Sequence, residues 1–136
     1  MKPENILLAA DGYIKLADFG LAKEGIQKDS TRTKSFVGSP AYLPPEIFSS
    51  EGIGRPADVY QIGAVLYELL VGMPPFYTHS LRKLYQDIQN AKLEIPAVLS
   101  PAARDLLSHM LQKRPSNRIS IPAIKEHAFF RGLDWQ

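Results

Sequence analysis

The chain contains no cysteine, which excludes disulfides and thiolate metal ligands and accords with a reducing compartment. Charge of neither sign prevails: 16 Lys and Arg against 14 Asp and Glu leave a net +2. That is too near balance to point to nucleic acid or a membrane surface as partner. No run approaches the ~18 apolar residues of a membrane span. Residues 6–10, followed at once by Asp11 and Gly12, are too short an apolar run for a secretory signal. Internal repeats and low-complexity tracts are missing as well. What is present is a 136-residue chain, 45% hydrophobic, long enough for one domain with a real core. The expected location is the cytoplasm, with the nucleus as the alternative.

Two short apolar runs, 5–9 and 13–16, bracket Ala10-Asp11-Gly12. Asp-Gly tolerates the positive φ that a tight turn demands, so a small β-hairpin is expected. Residues 20–39, rich in Lys, Asp, Ser and Thr, show no sustained period and read as a long exposed loop. Beyond Pro56, Val59, Ile62, Leu66, Leu69 and Leu70 make a helical stripe, while Tyr60, Ala64, Val65 and Tyr67 occupy other faces. That helix is expected to be buried nearly all round and to end at Gly72-Met73-Pro74-Pro75. A second helix suits Leu81, Leu84, Tyr85 and Ile88. A third begins at Ser100-Pro101 and runs through Ala103, Leu106, Leu107, Met110 and Leu111, and a short fourth follows Ser120.

A hairpin brings its ends together, so Lys2 and Asn5 before it should meet Asp18 after it. A carboxylate and an amide oxygen are hard ligands suited to Mg²⁺, and an ammonium beside them can take a phosphate. Phosphoryl transfer needs that combination. Each element alone is weak: Asp-Phe-Gly occurs by chance, and a lone lysine is normally a solvated charge. Their order and company are more specific. K-P-E-N stands at 2–5, D-F-G at 18–20, G-S-P-A-Y at 38–42, P-P-E at 44–46, D-V-Y-Q-I-G at 58–63 and R-P-S-N-R at 114–118.

With these motifs the chain resembles the C-terminal lobe of the eukaryotic protein kinase family over nearly its whole length. The implied fold is α+β and mainly α-helical, an incomplete kinase-like C-lobe made of a small β-hairpin and a helical bundle. The implied divisions are a catalytic-loop tail at 2–8, the D-F-G triplet at 18–20, an activation segment at 18–46 and a helical subdomain at 56–130. L-V-G-M-P-P-F-Y at 70–77 and A-F-F-R-G-L-D-W at 128–135 look most like the AGC group. Departures from the family pattern are Pro44 for alanine, Tyr60 for tryptophan and Arg114 for aspartate.

The resemblance implies ATP and Mg²⁺ as cofactors and transfer of the γ-phosphoryl group to protein Ser or Thr. Asn5 and Asp18 would hold magnesium, and Leu7 and Ala17 would line the adenine pocket. Lys2 would contact the transferred phosphate, and Ser39 would bridge the catalytic lysine and aspartate. Phe19 would pack into the core. Ser35 falls where the family places its activating phosphate, added by an upstream kinase, with Ser30, Thr31, Thr33 and Ser39 as competing hydroxyls. Glu46 and Arg118 would form a buried ion pair, and Asp58 would accept hydrogen bonds from the catalytic-loop backbone. Glu4 and Glu68 would pair with a basic residue before the acceptor in a protein substrate, although Ala41 replaces an acid common in basophilic members.

In the family the catalytic aspartate lies two residues before the lysine of K-P-E-N, and here Met1 stands between. The glycine-rich loop and the ATP-anchoring lysine also belong upstream. The chain alone is therefore expected to be inactive, with its central helix left as an exposed apolar patch. The alternative is a non-catalytic, pseudokinase-like interaction module.

Overall fold

The computed structural model describes residues 1–20, 22, 39–49 and 52–135. A 3₁₀ turn at Pro3–Asn5 leads into β1 (Ile6–Leu8), which pairs antiparallel with β2 (Ile14–Leu16). The register sets Ile6 against Leu16 and Leu8 against Ile14. Asp11 Oδ1 accepts the Tyr13 N–H at 3.1 Å, and Gly12 takes the positive φ of 85° expected of the turn. Further on, 3₁₀ turns at Pro40–Tyr42 and Pro45–Phe48 precede four helices: α1 (Arg55–Val71), α2 (Leu81–Asn90), α3 (Pro101–Met110) and α4 (Ile121–Lys125).

Serines start three of these helices. Ser80, Ser100 and Ser120 each accept the N–H of the third residue beyond them, occupying a donor that the helix start would leave bare. Proline in the first turn of α1, α3 and α4 gives up an N–H that has no intrahelical partner anyway. α1 stops at Gly72, left-handed at φ 93°, whose N–H returns to the Glu68 carbonyl.

The core lies where α1 crosses α3. Tyr60, Ala64 and Tyr67 of α1 pack with Leu107 and Leu111, while Val59 joins Leu106, Met110 and Ile124. Leu106 and Leu107 are fully covered, each gaining roughly 1.5–3 kcal/mol by burial. The helices approach closely at Gly63, where a Cβ would stand 2.8 Å from Met110 Cβ. Tyr67 ties α1 to the α2–α3 connection by donating its hydroxyl to the Glu94 carbonyl at 2.8 Å.

Two expectations about apolar surface need correction. α1 is covered along most of its apolar length, and its exposed large apolar residues are confined to the last turn, with Leu69 71% and Leu70 37% exposed. The stripe that periodicity assigned to the core ends at Leu66 because α3 crosses the N-terminal two-thirds of α1. The exposed apolar side chains gather instead on the hairpin, at Leu7, Leu8, Tyr13, Ile14 and Leu16. Phe19, expected in the core, is 66% exposed, and the core clusters around α1 and α3 take in no residue of 1–20.

Candidate functional site

The open end of the hairpin is closed by backbone. Asn5 N–H bonds to the Lys2 carbonyl at 3.1 Å, tightening the turn that precedes β1. Ala17 N–H then bonds to the Asn5 carbonyl at 2.8 Å, continuing the ladder by one residue past β2. Lys2, Asn5 and Asp18 therefore share one end of one small hairpin. Asp18 is the one non-glycine among the described residues with positive φ, at 61°. That conformation is uncommon outside glycine, and in a non-glycine residue it costs of order 1–3 kcal/mol. Strain of this kind persists where the surroundings hold it.

Among the described residues the Asp18 carboxylate has no ion-pair or hydrogen-bond partner. Gly20 leaves its flank open, since a Cβ there would stand 3.4 Å from Asp18 Oδ1. These residues fit a magnesium–nucleotide group: an exposed, unpaired carboxylate and an amide side chain at one hairpin end are hard oxygen donors. The described residues include no group of three His, Cys, Asp or Glu suited to a metal. Mg²⁺ shared with phosphates needs only one or two protein oxygens, so no such group is required. Leu7, 51% exposed, and the half-buried Ala17 offer apolar surface on the paired strands.

A second acidic locus lies across the 3₁₀ turn at Pro40–Tyr42. Tyr42 donates its hydroxyl to Glu68 Oε2 at 2.6 Å, joining that turn to the C-terminal third of α1. Burial raises the Tyr42 pKa, the bond to Glu68 adds to the rise, and the charges of Glu68 and Glu4 act in the same direction. Both acids therefore bear on one phenol, although 64 positions of sequence (68 − 4) separate them. Tyr42 was legible only as part of a quoted motif. No periodicity links it to Glu68, 26 residues on, and only the fold brings the two together.

Glu46 and Arg118 form a two-pronged ion pair, with Nη1 to Oε1 at 2.7 Å and Nη2 to Oε2 at 2.8 Å. The remaining guanidinium contacts go to the carbonyls of Pro56, Gln112 and Lys113. All five N–H donors of the guanidinium are thereby used, and the Tyr60 ring lies 5.1 Å from its carbon. The residue that replaces a tryptophan in the motif is thus a flat support for the buried cation.

Asp58 sits in the first turn of α1. Desolvation holds its carboxyl above the usual range, and the Met1 ammonium partly offsets this. Among the described residues no hydrogen bond reaches its side chain. Ser39 stands half-buried at the start of the Pro40–Tyr42 turn, its carbonyl accepting from Tyr42 N–H at 3.1 Å. Ser35 and the competing hydroxyls at 30, 31 and 33 lie outside the described residues.

Comparison with known proteins bears on the whole chain. The family described as Protein kinase domain matches residues 1–130. A RAC family serine/threonine-protein kinase homolog from Dictyostelium discoideum is 43% identical over 137 residues, which cover 100% of this chain and 31% of that protein. Human serine/threonine-protein kinase Sgk2 is 43% identical over 139 residues, covering 99% of this chain and 38% of its own length. Serine/threonine protein kinase ypkA of Aspergillus fumigatus is 42% identical over 141 residues, covering 100% of this chain and 22% of its own length. The chain thus spans well under half the length of the relatives it matches.

Proposed function

The chain belongs to the protein kinase domain family, and on that premise we propose that it carries the metal-binding and peptide-facing part of a serine/threonine kinase. The reaction moves the γ-phosphoryl group of ATP to a protein hydroxyl. A phosphorus–oxygen bond to the substrate forms, the bond to the β-phosphate bridge breaks, and ADP and a proton leave. The observation that supports this reading is that the hairpin backbone brings Asn5 and Asp18 to one end, with the Asp18 carboxylate unpartnered among the described residues and its φ positive.

Magnesium, when bound, neutralises the phosphate oxygens. Asn5 and Asp18 are assigned to hold it, and Lys2 to steady the transferred group by its charge. Ser39 is assigned to orient the residues around that group. Leu7 and Ala17 supply apolar surface for the adenine ring. Ser35 is assigned as the acceptor of a regulatory phosphate from an upstream kinase. Glu4 and Glu68 are assigned to a basic residue of the protein substrate, supported by their shared influence on Tyr42. Tyr42 fixes one oxygen of Glu68 and leaves the other for a guanidinium or ammonium.

The test is phosphotransfer in the intact protein. Asp18→Asn removes the charge that holds the metal and is expected to lower kcat at least about 100-fold, while Glu68→Ala raises KM for a basic peptide by about tenfold at similar kcat. Undiminished transfer by Asp18→Asn would remove Asp18 from the metal site, whereas binding of peptide without any transfer by the wild type would favour a non-catalytic interaction module instead.

A further inference from the structure

α2 ends without a terminating glycine. Ala91 closes it in extended geometry, φ −69° and ψ 145°, and returns its N–H to the Asp87 carbonyl. A helix end leaves up to four carbonyls without intrahelical donors. Here a donor comes from far along the chain: Lys113 Nζ bonds to the carbonyl of Ile88 at 2.6 Å and shares that of Asp87 at 3.2 Å. The same ammonium lies 4.5 Å from the centroid of the Phe76 ring, in the connection between α1 and α2. A cation at this position also complements the negative end of the helix macrodipole. Burial lowers the Lys113 pKa, with Asp87 acting against it, as expected for a charge partly withdrawn from water.

The main chain of Lys113 serves a different partner. Its carbonyl accepts from Arg118 Nη2 at 3.3 Å, and that same nitrogen is 2.8 Å from Glu46 Oε2. One residue therefore bonds both the end of α2 and the arginine of the buried pair. A direct link runs beside it, where the rings of Phe48 and Tyr85 meet at 5.1 Å. α2 is thus fastened by two routes to residues 39–49, the segment that carries Tyr42 and its bond to Glu68.

We propose that Lys113 is a positioning residue that fastens α2 to the Arg118–Glu46 pair and so sets the geometry of residues 39–49, governing affinity for protein substrate and not for nucleotide. The inference rests on the kinase reading above. Lys113→Met keeps an apolar stem and removes the donors, whereas Lys113→Arg keeps charge and donors. In the intact protein, Lys113→Met is expected to raise KM for a basic peptide about tenfold, equivalent to about 1.4 kcal/mol. KM for ATP and kcat should stay within about twofold, and Lys113→Arg should recover most of the peptide affinity. Amide exchange should quicken in Lys113→Met both at the end of α2 and within residues 39–49.

An unchanged peptide KM, or an equal rise in KM for ATP, overturns the proposal. If the wild-type protein transfers no phosphoryl group, the kinase reading has failed and exchange alone decides the coupling. Faster exchange reaching residues 39–49 upholds it, and faster exchange confined to the end of α2 overturns it.

Discussion

Arg118 gives up all of its donors to partners in the fold, and its side chain is fully buried. Removing it strands a carboxylate and three backbone carbonyls together. Arg118→Met should therefore cost about 3–5 kcal/mol in a urea titration. Glu46→Gln keeps a hydrogen-bonding side chain and should cost less, so a reversed order would show that the carbonyl contacts contribute little. Under the guanidinium, the Tyr60 phenol resists ionisation because burial raises its pKa, with Arg118 partly opposing this. The native state then keeps a proton that the unfolded chain releases once pH passes about 10, so stability falls as pH rises beyond that point. Tyr42 and Tyr67 are raised as well and act with the same sign. Tyr60→Phe should make the alkaline decline in urea midpoint shallower, and an unchanged slope would remove Tyr60 from the account. Of these residues, Glu46 and Arg118 were readable through motif resemblance. Tyr42 and Tyr60 gained their roles only when the chain had folded, since each acts on a partner tens of residues away.

Among the elements, α1 and α3 depend on close approach. A methyl group at Gly63 would meet Met110 Cβ at 2.8 Å and Leu111 Cδ2 at 3.2 Å. Met110 and Leu111 lie at the end of α3 within the core, so neither yields freely. Gly63→Ala should destabilise by about 1–3 kcal/mol despite its better helix propensity, lowering the urea midpoint with no change in slope. A stabilised variant would mean that the two helices can move apart. The helix starts were well marked in the sequence, because Ser100 and Ser120 each supply a side-chain acceptor close to a proline, which has no N–H to satisfy. The hairpin turn was equally plain in Asp11-Gly12. Periodicity overreached at Leu69 and Leu70, since it reports which residues share a face but not how far a neighbouring helix extends along it.

For the molecule as a whole, the resemblance and the family match describe the same kinase fold, with its core formed where α1 meets α3. The stretch at 23–38, where an activating phosphate was expected, lies outside the described residues. No helix among the described residues is long and apolar enough to cross a membrane. The hairpin exposes Leu8 at 77%, Tyr13 at 75% and Ile14 at 66%, an apolar surface of the kind that drives association. The 136-residue chain prepared alone should therefore scatter light as oligomers, and Leu8→Lys with Ile14→Lys should shift it towards monomer. The central claim is that the hairpin end bearing Asn5 and Asp18 holds a magnesium–nucleotide group. Calorimetric titration of ATP into the intact protein, with and without Mg²⁺, tests it most directly. The account predicts affinity that depends on Mg²⁺ in the wild type and loses that dependence in Asp18→Asn; equal affinity in all four titrations would contradict it.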